Sequence, residues 1–149
     1  MNLPFFSILI PSYNRPNYLG LTIDSVIKSS FKNFELIISD DNSPKSSEIK
    51  NLVKSYNDSR IVFFNQKKNL GEANNRQFLI DKSKAKWKII LSDDDLLSSN
   101  ALKVLNNNIS QNTEIDLFLF GYNLIDQFGK VLYKRKSFRR IRINSKKIS

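Results

Sequence analysis

The chain of 149 residues contains no cysteine and no histidine. Those absences exclude disulfides, thiolate metal sites, the ordinary zinc site, a histidine general base and the Ser-His-Asp triad. Carboxylates, amides, hydroxyls and oxygen-bound cations are the chemistry that remains. Glycine and proline are scarce, with four of each, so each one present marks a boundary worth reading. Long apolar runs are missing too: no window approaches the ~20 apolar residues of a membrane-spanning helix. The N-terminus has no basic segment and its first apolar run stops at Ile10, so no signal peptide is expected and the cytoplasm is the expected compartment. What is present is 40% hydrophobic and 11% aromatic residues, enough for one folded domain with a core.

Acidic residues are absent from one region in particular. Residues 1–129 hold 15 Lys and Arg against 14 Asp and Glu, whereas residues 130–149 hold 9 against none. The net charge of +10 therefore belongs almost wholly to residues 130–149, whose tail, Lys134 to Ser149, alternates basic residues loosely with Phe and Ile. A solvated chain end, a contact with an anionic membrane surface and a nucleic-acid contact are the readings open to it, nucleic acid being the least favoured.

Taken in order, the apolar run Phe5 to Ile10, closed by Pro11, reads as a first strand. Leu19, Ile23, Val26 and Ile27 recur at helical spacing and predict a helix from Tyr18 to Ile27. A strand from Leu36 to Ser39 ends in Asp40 and Asp41, and a helix carrying Ile49, Leu52, Val53 and Tyr56 follows, with Ser46 or Ser47 expected as its cap. A strand from Ile61 to Phe64, a polar loop ending at Gly71, a helix from Ala73 to Ile80 and a strand from Trp87 to Leu91 come next. Leu102, Leu105 and Ile109 mark a further helix, Ile115 to Phe120 a further strand, and Asp126 to Lys130 a hairpin turn leading into Val131 to Tyr133. Strands alternating with helices of about ten residues call for an α/β fold, a mostly parallel sheet with helices on both faces. Ligands of such sheets sit beyond the carboxyl ends of the strands.

At one of those ends stand three successive carboxylates, Asp93, Asp94 and Asp95. Adjacent like charges repel unless a cation offsets them, and oxygen-only ligands suit Mg²⁺ or Mn²⁺. A polar turn or a helix cap is the plain alternative. The ends of the first two strands, Pro11 to Arg15 and Asp40-Asp41, converge on the same edge of the sheet, which favours a binding site.

Four segments carry a likeness: Ile8 to Arg15, Phe34 to Ser43, Asn69-Leu70-Gly71 with Asn75-Arg76, and Ser92-Asp93-Asp94-Asp95. In this order and spacing they resemble the family 2 glycosyltransferases of the GT-A fold, a Rossmann-like architecture, over roughly residues 5–133. The resemblance implies a nucleotide-sugar donor, a UDP-sugar, held through Mn²⁺ or Mg²⁺, with transfer by inversion to a saccharide or glycoconjugate acceptor. It implies that Asp94 binds the cation, with Asp93 and Asp95 beside it as further candidate ligands, and that Asp93 lies next to the donor ribose or sugar. Asp41 would accept the imide N–H of uracil, which a carboxylate suits because it offers only acceptors. Pro11 and Tyr13 would wall the nucleoside, and Arg76 would neutralise diphosphate or orient the uracil pocket. Arg15 stands undecided between a functional and a solvated role, and Lys67 and Lys68 are expected as solvent-exposed charge. Ser92 replaces the usual first acid of the metal motif.

The general base of the inverting reaction is, in the resemblance, a carboxylate well downstream of that motif. After Asp126 the chain has no Asp or Glu. The expectation is a nucleotide-sugar-binding domain over residues 1–133, followed by a basic tail or the start of a missing acceptor-side region over 134–149, with the C-terminal part of the fold truncated. A non-catalytic binding or scaffolding module is the alternative.

Overall fold

The computed structural model describes residues 3–111, 114, 116–119, 121–135 and 139–141. They divide into two compact units at Lys103 and Val104. The first unit carries strands β1 (Phe6–Ser12), β2 (Phe34–Asp40), β3 (Ile61–Asn65) and β4 (Trp87–Ile90) and helices α1 (Pro16–Ile27), α2 (Ser46–Ser55) and α3 (Glu72–Lys82). A fourth helix, α4 (Ala101–Gln111), spans the division. Every strand of the first unit is parallel to its neighbours, in the order β3-β2-β1-β4.

This order dictates where the helices lie. The chain steps from β1 to β2 to β3 in one direction, then returns past both to β4. Right-handed crossovers accordingly put α1 and α2 on one face and α3 on the other. Leu79 of α3 is buried with Leu9 and Ile37, flanked by Phe64 and Ile80, and α1 and α2 lie against each other. Ile8, Ile10, Leu36 and Ile38 point the opposite way from Leu9 and Ile37 and are fully buried. Both faces of β1 and β2 are thus covered, which is why these strands read as unbroken apolar runs rather than alternating ones.

Two buried polar groups fix the end of the sheet far from the carboxyl edge. Ser7 Oγ donates to Glu35 Oε1 at 2.6 Å, and the same oxygen accepts Lys84 N–H at 2.7 Å, while Ala85 N–H donates to Ser7 Oγ at 3.0 Å. The connection from α3 is thereby tied to the start of β1 and β2, and β4 enters the sheet in a defined register, Phe6 opposite Trp87.

Several local expectations shift. Helix α1 begins at Pro16, in the first-turn position where proline loses no hydrogen bond. Neither Ser46 nor Ser47 caps α2: its N-cap is Lys45, with no side-chain cap. The acidic triplet caps no helix either, because Asp95 N–H donates to Ser92 O at 3.1 Å in a turn and α4 starts only at Ala101.

In the second unit, β5 (Leu117–Leu119) pairs antiparallel with β8 (Arg139–Ile141), and β6 (Tyr122–Ile125) with β7 (Val131–Arg135). Ile115 and Phe120, expected in the fifth strand, lie outside the described residues, as does most of the basic tail. The hairpin turn forms as read: Asp126 Oδ1 accepts Phe128 N–H and Lys130 N–H, both at 2.9 Å, and Gly129 takes a positive φ. Among the described residues no helix is long and apolar enough to cross a membrane.

A pH test follows from the contact between α1 and α2. The Tyr56 hydroxyl faces Gly20 O at 2.9 Å and Asp24 Oδ1 at 3.0 Å. Burial, then the hydrogen bond to Asp24 and its charge, push the phenol up to about 12. The fold favours the protonated phenol, so its contribution is complete below the unfolded value of about 10 and is lost as pH rises from there to about 12. The stability difference between wild type and Tyr56→Phe, of the order of 1 kcal/mol at neutral pH, is expected to fall over that range in urea titrations. A constant difference would remove Tyr56 as its source.

Candidate functional site

Parallel register makes the carboxyl ends of three strands level: Ser12 lies opposite Asp40, and Asp40 opposite Asn65. β4 runs beside β1 with Ile90 opposite Leu9, so the loops leaving β1, β2 and β4 meet. They meet where the strand order reverses, since the chain leaves β1 toward β2 on one side while β4 lies on the other, and such a switch point opens a crevice. A cleft of about 260 Å³ is found there. Pro11, Tyr13, Asp41, Arg76 and Asp93, singled out from the sequence, all line it, together with Ser12, Arg15, Asn69, Gly71, Glu72, Asn75 and Ser92.

Asp41 is held by backbone. Its own N–H donates to Ser12 O at 3.0 Å, while Oδ1 accepts Leu70 N–H at 2.7 Å and Oδ2 accepts Gly71 N–H at 3.0 Å. The carboxylate thus sits at the N-terminal end of α3, where the helix dipole favours negative charge. Gly71 precedes α3 at φ +80° and ψ 157°, a conformation that essentially only glycine adopts. A Cβ at this position would meet nothing within 4 Å, so backbone conformation rather than space requires glycine there. A carboxylate has about four acceptor positions, and two remain for a ligand. Asp40 is more deeply buried and takes Ser43 N–H at 3.2 Å, a turn acid.

Asp93 is the most enclosed acid of the triplet, with 3% of its side chain exposed. Oδ2 accepts Tyr13 N–H at 3.2 Å, its carbonyl accepts the Thr22 hydroxyl at 3.0 Å, and Oδ1 lies 3.4 Å from Arg15 Nε. Burial raises its carboxyl above the usual carboxylate range, against the pull of the Tyr13 N–H and the Arg15 charge. The Ser12 hydroxyl lies near enough to favour the charged form slightly, yet it makes no hydrogen bond of normal geometry. Ser25 Oγ accepts Leu97 N–H at 3.0 Å, so α1 holds both ends of the acidic loop.

Arg15 also pairs with Asp94 through Nη1. One guanidinium therefore lies between two adjacent carboxylates, one buried and one exposed. Asp95 is exposed and outside this arrangement, and among the described residues no three acids gather as a metal-binding group. The triplet supplies a pair of carboxylates around a positive centre rather than three converging ligands. A pair of oxygen ligands of this kind suits a hard divalent cation whose remaining positions come from ligand phosphates and water.

Arg76 pairs with Glu72 at 2.5 Å, and its Nε–H is buried without a partner. With Ser12 Oγ, it is one of two unsatisfied polar groups on the cleft wall. Asn75 is fully engaged: Oδ1 accepts the Ser39 hydroxyl at 2.6 Å and Nδ2 donates to Ser39 O at 3.0 Å, which seats α3 on β2. Lys67 and Lys68 are exposed. Asp126, whose carboxylate is committed to the hairpin turn, belongs to the second unit.

The family model described as glycosyl transferase family 2 matches residues 7–148. A Campylobacter jejuni protein named GalNAc(5)-diNAcBac-PP-undecaprenol beta-1,3-glucosyltransferase is 33% identical over 87% of the chain and 41% of its own length. The chain spans between 19% and 48% of the length of four curated relatives to which it is 30–36% identical. Among solved structures, residues 1–349 of S. aureus TarS in complex with UDP-GlcNAc superpose with a TM-score of 0.66 at 22% identity, over 72% of this chain and 32% of that one. The mannosyltransferase PcManGT of Pyrobaculum calidifontis in complex with GDP-Man and Mn²⁺ gives 0.63 at 14% identity, over 85% and 36%. At these identities the likeness is one of fold, the GT-A fold expected from the sequence.

Proposed function

Since the chain belongs to glycosyl transferase family 2, we propose that its cleft binds the nucleotide half of a sugar donor, a UDP-sugar, with a divalent cation. The sugar passes with inversion to a saccharide or glycoconjugate acceptor, in polysaccharide or glycoconjugate assembly at the cytoplasmic side of a membrane whose anionic lipids the basic tail touches. The observation that carries this reading is the convergence of Pro11, Tyr13, Asp41, Arg76 and Asp93 on one cleft at the switch point of the sheet. Tyr13, half exposed at the rim, offers a ring face to a base. Asp41, fixed by two backbone N–H groups, keeps acceptor capacity for the uracil imide. Arg76 contributes a free Nε–H for phosphate or base oxygen. Asp94, with Asp93 behind it, would hold Mn²⁺ or Mg²⁺, which when bound stabilises the negative charge of a departing nucleoside diphosphate.

UDP with Mn²⁺ is expected to raise the melting temperature of wild type by several degrees, since ligand at 100 times its Kd adds about 2.7 kcal/mol. In Asp94→Ala the increment contributed by Mn²⁺ should vanish while the fold persists, because Asp94 is exposed. An unchanged wild-type melting curve sinks the proposal. A second reading, donor binding without turnover, draws on the Asp126 carboxylate being taken up by its turn. Release of free sugar from a UDP-sugar by the 149-residue protein would exclude it.

A further inference from the structure

The acidic loop and the loop after β1 meet through the Tyr13 N–H and one side chain, Arg15, whose setting differs from that of an ordinary surface ion pair. Its backbone is fixed: Leu19 N–H donates to Arg15 O at 3.0 Å, Asn14 before it has φ +61°, and Pro16 after it opens α1. Its side chain is not confined, being 49% exposed. The guanidinium contacts Asp93 through Nε at 3.4 Å and Asp94 through Nη1. Asp93 is buried and lines the cleft, while Asp94, 42% exposed, lies beside it outside the lining, so Arg15 supplies a side-chain positive charge shared by the two adjacent carboxylates.

We infer that Arg15 is the resident counter-ion of the Asp93–Asp94 pair, holding the place of the divalent cation until a diphosphate draws the guanidinium away. The inference rests on the donor-site reading above and adds an order of events. A guanidinium matches phosphate oxygens at least as well as carboxylates, and bidentately. When a nucleoside diphosphate enters beside Arg15, the side chain can turn from carboxylate to phosphate without backbone movement. That turn frees Asp94 to take the cation and leaves Arg15 on the same diphosphate. Cation binding and nucleotide binding are then coupled through one rotamer, and the coupling is reciprocal. Without nucleotide the protein binds free Mn²⁺ weakly, because the ion must displace a charge already in place.

Titration calorimetry with Mn²⁺ alone reads this directly. Arg15→Gln is expected to bind Mn²⁺ about fivefold tighter than wild type, the order of effect of one partly exposed ion pair. Lys67→Gln, which removes the same formal charge from an exposed position on the loop before Gly71, should leave the Mn²⁺ affinity at the wild-type value. In the presence of UDP, the gain in Mn²⁺ affinity seen for wild type should shrink in Arg15→Gln. Equal Mn²⁺ affinities for wild type and Arg15→Gln would overturn the inference, as would an equal gain in Lys67→Gln, which would make net charge the cause. A wild type that fails to bind UDP with Mn²⁺ removes the donor-site reading instead, while the comparison with Mn²⁺ alone still decides the role of Arg15. Circular dichroism of each variant establishes that it is folded.

Discussion

Asp41→Asn is expected to lower the stability of the first unit by about 1–3 kcal/mol, a sizeable share of the 5–15 kcal/mol typical of a domain. The two side chains have nearly the same shape, so no cavity explains such a loss. The cause is the count of acceptors. Each carboxylate oxygen of Asp41 takes a different backbone N–H, Leu70 at 2.7 Å and Gly71 at 3.0 Å. An amide offers one oxygen and one NH₂, so whichever way it turns, one backbone donor faces another donor. Asp41 itself is 4% exposed, but Gly71 is exposed and its N–H keeps Asn69 Oδ1 at 3.0 Å as a second acceptor, so the cost is one charge-assisted bond exchanged for a donor–donor contact in a half-buried loop. The charge at the N-terminal end of α3 goes as well. Urea denaturation should show a lower midpoint with an unchanged slope, the signature of lost stability rather than altered compactness. Nucleotide binding should fall with it, since the same loop lines the cleft. A midpoint equal to that of wild type would mean that the loop at Leu70–Gly71 is held by something other than Asp41.

That clamp also shows where a sequence stops being legible. β1 and β2 could be read because they are buried on both faces and so appear as apolar runs, β3 and β4 are apolar runs with one face partly exposed, and the convergence of the strand ends follows from parallel topology alone. Asp41 could be flagged as an acid at a strand end. Its partners could not, because Leu70 and Gly71 lie 29 and 30 residues away, and nothing local marks their N–H groups as lacking helical partners until α3 is placed. Ser7 and Glu35 were hidden for a related reason: polar residues inside an apolar strand signal a buried network only when the donor, here the Lys84–Ala85 backbone, is known. The triplet was legible as an oddity of charge but not as a geometry. Consecutive residues on a turn point in different directions, so three adjacent carboxylates yield one buried, one paired at the surface and one in solvent. Arg15 lay undecided because its role depends on Asp94, 79 residues away.

Asp93→Asn separates what the site costs from what it does. In the folded protein the Asp93 carboxyl is raised above its usual range, chiefly by burial. A carboxyl raised on folding favours the protonated state of the native protein, so the ionised form at neutral pH lowers stability, and that penalty is relieved as pH falls through the folded value. Asparagine removes the charge yet can still accept Tyr13 N–H through Oδ1 and leave the Thr22 bond to the main chain intact. The loss of Arg15 as an ionic partner offsets the gain only in part, because that side chain is half exposed and screened. The nucleotide-free variant should therefore be at least as stable as wild type at pH 7, by a margin on the order of 0.5–1 kcal/mol. The difference should narrow on acidification, as wild type becomes neutral at the same position. Binding should move the other way, with UDP in the presence of Mn²⁺ weakened about 10–100-fold, the usual loss when a group supporting a cation site is removed. Stability rising while affinity falls identifies Asp93 as a group kept charged in a buried place for its ligand. A variant that is less stable than wild type and still binds UDP with full affinity would instead make Asp93 a structural acid of the loop, with Asp94 left to carry the cation alone.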